Sequence, residues 1–182
     1  EDVGGMGQSL RAAAHLVELV GGACASTGMV MCMHYLAATV IEKFGPRAAR
    51  EALASGRHLG SVALTEVGSR SHFWAPVGTA KPDGDAVRFD AQKSWVTSAG
   101  YADSFVWSSK PLAAEGLSTL WLMPGKVDGL RCLEPFDGLG LRGNASRPMK
   151  ADGVRLPREA MLGEDGKGYD IMSVDMNPVF LS

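Results

Sequence analysis

Apolar residues recur at helical spacing through the first third of the chain and at alternating positions through most of the remainder. Leu10, Ala13, Ala14, Val17 and Val20 fall on one helical face, and Ser9 stands just before them as an N-cap. Gly21-Gly22 ends that run. Met29, Met33, Leu36, Val40 and Phe44 mark a second helix, with Ser26 or Thr27 as its cap and Gly45 as its stop. Pro46 opens a third, short helix at the position where a missing N–H is tolerated. Ala48, Ala49 and Leu53 give it a buried side before Ser55-Gly56. The helical reading covers about residues 8–56.

From Leu59 the period changes to alternation, and turn signals arrive every dozen residues or so. Lys81-Pro82-Asp83-Gly84-Asp85 is a strong turn, with Pro presetting φ and Gly accepting a positive one. It joins strands expected near 77–80 and 86–90. Further strands are expected at 93–98, 104–109, 117–123, 130–134 and in the 147–156 region. Pro124-Gly125, Asp128-Gly129, Asp137-Gly138 and Arg142-Gly143 punctuate them. Six or more short strands with no helix between them predict an antiparallel barrel or sandwich, not a doubly wound sheet. After Pro157 a glycine-rich loop, Gly163-Glu164-Asp165-Gly166-Lys167-Gly168, feeds a helical pattern of Ile171, Met172, Val174 and Met176 that Pro178 interrupts. The fold class expected is α+β: a helical segment, an antiparallel β-barrel or sandwich domain, and a new helix.

At 182 residues with 46% apolar, the chain can bury a substantial core. Its net charge of −2, with both signs interspersed, lacks the basic clustering of a nucleic-acid binder. Cys24, Cys32 and Cys132 are odd in number and lack paired spacing, so they read as small buried hydrophobes in a reducing compartment. Met29, Met31 and Met33 read as core filler, with His34 packed beside them. No apolar run reaches the length of a membrane span, and the first residues carry no basic region or signal core, so cytoplasm is the default expectation.

Two stretches carry candidate chemistry. In Lys93-Ser94-Trp95-Val96-Thr97-Ser98-Ala99-Gly100, strand alternation places Trp95 and Thr97 on one face and Val96 on the other. A flat aromatic two positions from a hydroxyl suits a planar, hydrogen-bonding ligand such as a flavin ring; a half-buried core strand suits the same spacing. Ala63-Leu64-Thr65-Glu66-Val67-Gly68-Ser69-Arg70-Ser71 runs from a strand into a loop of hydroxyls and backbone donors fit for a diphosphate, or into an ordinary polar loop. Gly138-Leu139-Gly140-Leu141-Arg142-Gly143 fits a dinucleotide glycine spacing but lies between strands rather than between strand and helix.

Together and in this order, these stretches resemble the acyl-CoA dehydrogenase family of flavoproteins. Thr65-Glu66-Val67-Gly68-Ser69-Arg70-Ser71-His72 stands where the family carries Thr-Glu-Pro-Gly-x-Gly-Ser-Asp. Lys93-Ser94-Trp95-Val96-Thr97-Ser98-Ala99-Gly100 stands where it carries Lys-x-Trp-Ile-Thr-Asn/Ser-Ala-Gly. Leu139-Gly140-Leu141-Arg142-Gly143, Val154-Arg155-Leu156-Pro157 and Leu162-Gly163-Glu164 with Gly166-Lys167-Gly168 follow in family order, as weaker matches.

The resemblance implies the end of an N-terminal helical domain over 1–58, a flavin-binding middle β domain over 59–160, and a linker with the start of a C-terminal helical domain over 161–182. It implies FAD as cofactor, with backbone around Val62, Ala63 and Leu64 lining the ring and Thr65 bonding its pyrimidine side. Trp95 packs against the ring, Val96 lies beside it in the same strand, and Thr97 donates at its N5 edge. Ser71 reaches the diphosphate or the acyl-CoA substrate. The implied reaction is α,β-dehydrogenation of an acyl-CoA thioester: a proton leaves Cα and a hydride passes from Cβ to N5. The base is expected in the C-terminal part that this chain is expected to lack, so no catalytic residue is named. Implied partners are acyl-CoA, an electron-transfer flavoprotein or similar acceptor, and further copies of the chain, as in a homotetramer. A flavin-dependent monooxygenase of the same fold and a truncated non-catalytic subunit are the alternatives. Arg70 for Gly and His72 for Asp depart from the motif.

Overall fold

The computed structural model describes residues 2–70 and 72–181. Helix α1 (Leu10–Ala23) starts where Ser9 Oγ accepts from the Ala12 N–H, as its spacing predicts, but it passes through Gly21-Gly22 before stopping. Helix α2 (Ala25–Phe44) has Cys24 as its N-cap, two or three residues earlier than Ser26 or Thr27, and Gly45 terminates it. Helix α3 (Arg47–Ala54) follows Pro46. Ala49 and Leu53 pack inward from it, whereas Ala48 is exposed.

Among the described residues eight strands follow: β1 (Gly60–Ala63), β2 (Thr79–Asp83), β3 (Ala86–Val96), β4 (Ser104–Ser109), β5 (Thr119–Pro124), β6 (Leu130–Cys132), β7 (Arg147–Pro157) and β8 (Met161–Leu162). They form two four-stranded sheets, ordered β1-β4-β5-β8 and β2-β3-β7-β6. Between the sheets lie Phe89, Val96, Phe105, Trp107, Trp121, Met123, Met149 and Val154, all essentially solvent-free. Val106 and Leu120, on the first sheet's other face, pack on Leu36, Ala37, Val40 and Ile41 of α2 and on Ile171, Met172 and Met176. The first sheet is therefore buried on both sides, which is why every residue of β4 is buried.

The β region is a sandwich. Among the described residues it does not close into a barrel. One pairing departs from the antiparallel expectation: β1 lies parallel to β4. Parallel neighbours require a long crossover, and the residues between them supply it by building β2 and β3 in the opposite sheet. The expected strands at 86–90 and 93–98 are one strand, β3, which ends at Val96. The β2–β3 hairpin is tighter than Lys81–Asp85, because Asp83 already pairs with Ala86 and leaves only Gly84-Asp85 to turn. Pro82 is accommodated because β2 is an edge strand.

The final helix does not break at Pro178. Helix α4 (Gly168–Ile171) widens into a π turn over Met172–Met176 and continues as α5 (Asn177–Phe180). A wider turn ahead of the proline accommodates its missing N–H. The cysteines are not the buried hydrophobes expected: Cys24 is exposed and Cys32 and Cys132 are only partly covered, all three as free thiols. Met29 is 44% exposed, so the methionine stripe fills core only in part. His34 is structural, its Nδ1 accepting from the Gly60 N–H at 3.1 Å. Burial holds its imidazole below the ordinary value, which suits a neutral ring accepting at Nδ1.

Asp165 ties the glycine-rich loop to the sandwich. Its carboxylate accepts from the Leu112, Ala113 and Ala114 N–H groups and from Thr119 Oγ1. Burial alone would raise its pKa; those four donors outweigh it and hold the carboxyl at about 2 against an ordinary 3.8. Its stabilisation is therefore complete above about pH 4 and is lost as pH falls toward 2. Discounted for its partial exposure, Asp165→Asn is expected to cost about 1–2 kcal/mol at pH 7 and nothing near pH 2, read by denaturant titration at both pH values.

Candidate functional site

The two candidate stretches meet at the end of β3. The Ser94 N–H donates to the Thr65 carbonyl at 2.8 Å, and Glu66 forms a backbone bridge with Lys93. From the other side, Ser61 Oγ of β1 donates to the Thr97 carbonyl at 2.8 Å. Residues far apart in sequence thus share one corner of the sandwich.

That corner contains a β-bulge. Lys93 pairs with Met149 and Val96 with Arg147, so one extra residue sits on β3 between them. Trp95 absorbs it with φ of +62°, a left-handed conformation costing about 1–3 kcal/mol for a side chain of this size. The consequence overturns simple alternation. Lys93 and Val96 both point into the core at 0% exposure, while Trp95 swings out at 55%. Its indole stacks on Phe136, with centroids 4.4 Å apart and planes 24° from parallel. Thr97 lies in the turn beyond the strand, buried, with its Oγ1 3.3 Å from Ser146 Oγ. Trp95 and Thr97 do not share a strand face; the bulge and the turn separate them.

Ser98 and Ala145 are also left-handed, at φ of +58° and +53°, and the Ser98 N–H donates to the Asn144 carbonyl. Three strained non-glycine residues in one corner mark a site whose backbone shape is over-determined by its surroundings. Val62 and Leu64 pack, as do Phe73 and Trp74, against the cluster built on α2, whereas Ala63 and Val96 are core residues of the sandwich. Thr65 is half-buried and Ser71 lies outside the described residues. A groove of about 240 Å³ between α1, α2 and α5, lined by residues including Val17, Cys32, Tyr35 and Phe180, contains none of these residues.

Beneath the corner lies a charge pair. Lys93 Nζ is 2.5 Å from Glu66 Oε1, with both side chains essentially solvent-free. Burial lowers the Lys93 ammonium from 10.5 to about 8, against the pull of the Glu66 carboxylate. Sequence pattern assigns no role to Lys93, Phe136 or Ser146, whose contacts form only across the fold.

No family model matches the chain. It is 32% identical to the human mitochondrial short-chain specific acyl-CoA dehydrogenase, over 98% of this chain and 46% of that protein. A probable acyl-CoA dehydrogenase of Bacillus subtilis is 30% identical over 93% of this chain and 47% of its own length. The chain is a relative of the acyl-CoA dehydrogenases. The fold agrees: the acyl-CoA dehydrogenase of Geobacillus kaustophilus superposes with a TM-score of 0.85 at 19% identity, over 94% of this chain and 47% of that one. The chain thus spans about half the length of the curated relatives it matches. Among the described residues no helix is long and apolar enough to cross a membrane.

Against this acyl-CoA dehydrogenase background, Arg70 takes on meaning. It stands where the family motif has glycine, and its φ is +52°, a conformation glycine adopts freely and arginine at a cost of about 1–2 kcal/mol. Its side chain is exposed. Neighbouring Ser69 is buried, and its hydroxyl is spent on the Glu66 carbonyl at 2.9 Å.

Proposed function

We propose that the corner formed by Thr65, Trp95 and Thr97 holds a flavin, and that the protein this chain represents is an FAD-dependent acyl-CoA dehydrogenase. The observation that carries the reading is Trp95, a large aromatic held exposed by a strained bulge at the one place where both family-like stretches meet. An apolar ring that folding alone would bury, kept out at a conformational cost, fits a ring-stacking partner. Thr65 is half-buried beside it, with the backbone of Val62, Ala63 and Leu64 nearby, and Thr97 lies under the corner with its Oγ1 3.3 Å from Ser146 Oγ, a partner it would exchange for the ring edge. FAD, when bound, supplies the two-electron acceptor for α,β-dehydrogenation of an acyl thioester. The chain's own residues orient the ring: Trp95 as stacking surface, Thr97 as donor to the ring edge, Val96 as the core anchor between them. Ser71 is assigned to the diphosphate or the acyl-CoA.

The names of the relatives support acyl-CoA as substrate and the two-electron chemistry. An electron-transfer flavoprotein or similar acceptor, and assembly with further copies, are part of the same reading. So is the division near residues 58 and 160 into helical, β and C-terminal helical parts. A cytoplasmic setting rests on composition alone, and the human relative is named as mitochondrial.

Trp95→Ala and Thr97→Ala are each expected to weaken FAD binding about tenfold or to shift the visible flavin band, read by absorption titration. Unchanged binding and spectrum in both would remove the strand end from the cofactor face. Oxygen-dependent hydroxylation, without acyl-CoA turnover in the presence of an electron acceptor, would replace dehydrogenation by the monooxygenase reading.

A further inference from the structure

The Lys93–Glu66 pair is more thoroughly connected than a structural ion pair requires. Lys93 Nζ reaches Glu66 Oε1, the Ser108 carbonyl at 2.7 Å, Ser108 Oγ at 2.8 Å and, more loosely, the Leu64 carbonyl at 3.3 Å. Glu66 Oε2 accepts from the Val77 and Gly78 N–H groups, each at 2.7 Å. Ser108 Oγ also donates to the Leu64 carbonyl. Four segments therefore converge on one buried ammonium and one buried carboxylate: residues 64–66, the two residues leading into β2, β3 and β4.

Burying such a pair is costly, and apolar replacements of buried pairs are often neutral or stabilising. Stability alone does not account for it. What the pair does hold is backbone belonging to the candidate cofactor corner. Leu64 and Thr65 are fixed on one side, by Lys93 and by the neighbouring Ser94 N–H. On the other side the bulge begins at Lys93 itself, one residue before the chain departs from register. The fit is close at Gly78 too, where a Cβ would come within 2.8 Å of Glu66 Oε1 and 2.4 Å of Ala91 Cβ. Anchoring Lys93 inward fixes where the extra residue must go, and so directs Trp95 outward.

We propose that Lys93 and Glu66 are positioning residues, a buried pair that locks the Leu64–Thr65 backbone to the Trp95 bulge so that a bound flavin meets both at once. This rests on the flavin reading above, and the test separates the two. Lys93→Met, Glu66→Gln and the double K93M/E66Q are compared with the parent for melting temperature, FAD affinity, visible flavin spectrum and, without flavin, exchange of the Ser94 amide. Gln keeps an acceptor for Val77 and Gly78 while removing the charge. The double variant is expected to melt within about 3 °C of the parent, having no uncompensated charge. Its FAD affinity is expected to stay about tenfold weaker with a shifted band, and its Ser94 amide to exchange about tenfold faster.

A double variant with parental affinity, spectrum and Ser94 protection would overturn the proposal and make the pair merely structural. Faster Ser94 exchange with parental flavin binding would also overturn it, since the backbone held would then not matter to the cofactor. A parent chain that takes up no FAD, while Ser94 responds as expected, would overturn the flavin reading and with it the pair's role toward the cofactor, leaving only the backbone lock. If the double variant does not fold, E66Q alone carries the same readouts.

Discussion

Trp121→Ala is expected to lower the unfolding free energy by about 3–5 kcal/mol, and with it the melting temperature by about 10 °C or more. Trp121 is fully buried on β5, the strand between β4 and β8. Its ring meets Phe89 of the opposite sheet edge-on, with centroids 5.0 Å apart at 81°, so it bridges the two layers that make the sandwich. The truncation removes that contact and leaves a void between two sheets, neither of which can collapse far without breaking its own ladder. It also strips the indole N–H from Ser109 Oγ, which it meets at 2.9 Å. Ser109 retains its bond to the Lys110 carbonyl, so the loss is chiefly one of packing. Denaturant titration checks the figure. A cost below about 1 kcal/mol would mean that the sheets re-pack, and that the inter-sheet core is not what fixes the fold.

How much of this was legible in the sequence follows from what makes a signal local. The three leading helices were, because apolar spacing and the Ser9 cap act within one or two turns. So were most strands of the sandwich and the meeting of alternating stretches with glycine turns. The orientation of Trp95 was not: alternation assumes an unbroken strand, and a single extra residue before Val96 reverses what Trp95 faces. The parallel pairing of β1 with β4 was hidden for a different reason. Nothing in Gly60–Ala63 records which strand, more than forty residues later, will lie beside it. Pro178 misled because the compensation lies upstream, in the π turn over Met172–Met176, where no residue type announces it. At the candidate site the two motif stretches stand out in the sequence, and the fold brings them together through the Ser94 N–H and the Thr65 carbonyl. The site's supports did not show, since Lys93, Ser146 and Phe136 matter only through contacts made across the fold.

Lys93→Met alone is expected to destabilise the chain by about 3–5 kcal/mol at pH 7, the largest effect expected of any single charge removal here. The Glu66 carboxylate would keep the Val77 and Gly78 N–H donors but lose the Lys93 countercharge, at a position 3% exposed. The two amide dipoles do not replace a full positive charge in that setting. Adding E66Q to the lysine variant is expected to return most of the loss, which a pair of independent mutations would not do. The pH dependence gives a second check with a definite sign. Burial first, opposed by Glu66, lowers the Lys93 ammonium to about 8, whereas in the unfolded chain it titrates near 10.5. Between those values the unfolded chain holds the extra proton, so this lysine's contribution to stability rises with pH across the window. The parent should therefore gain on Lys93→Met as pH goes from about 8 to 10.5, and neither protein's Asp165 titrates there to obscure it. Unfolding titrations at pH 7 and pH 10 measure the difference directly. A gap that stays constant or narrows would show that Lys93 is not the group titrating in the core, and would place the cost of removing it in packing rather than in charge.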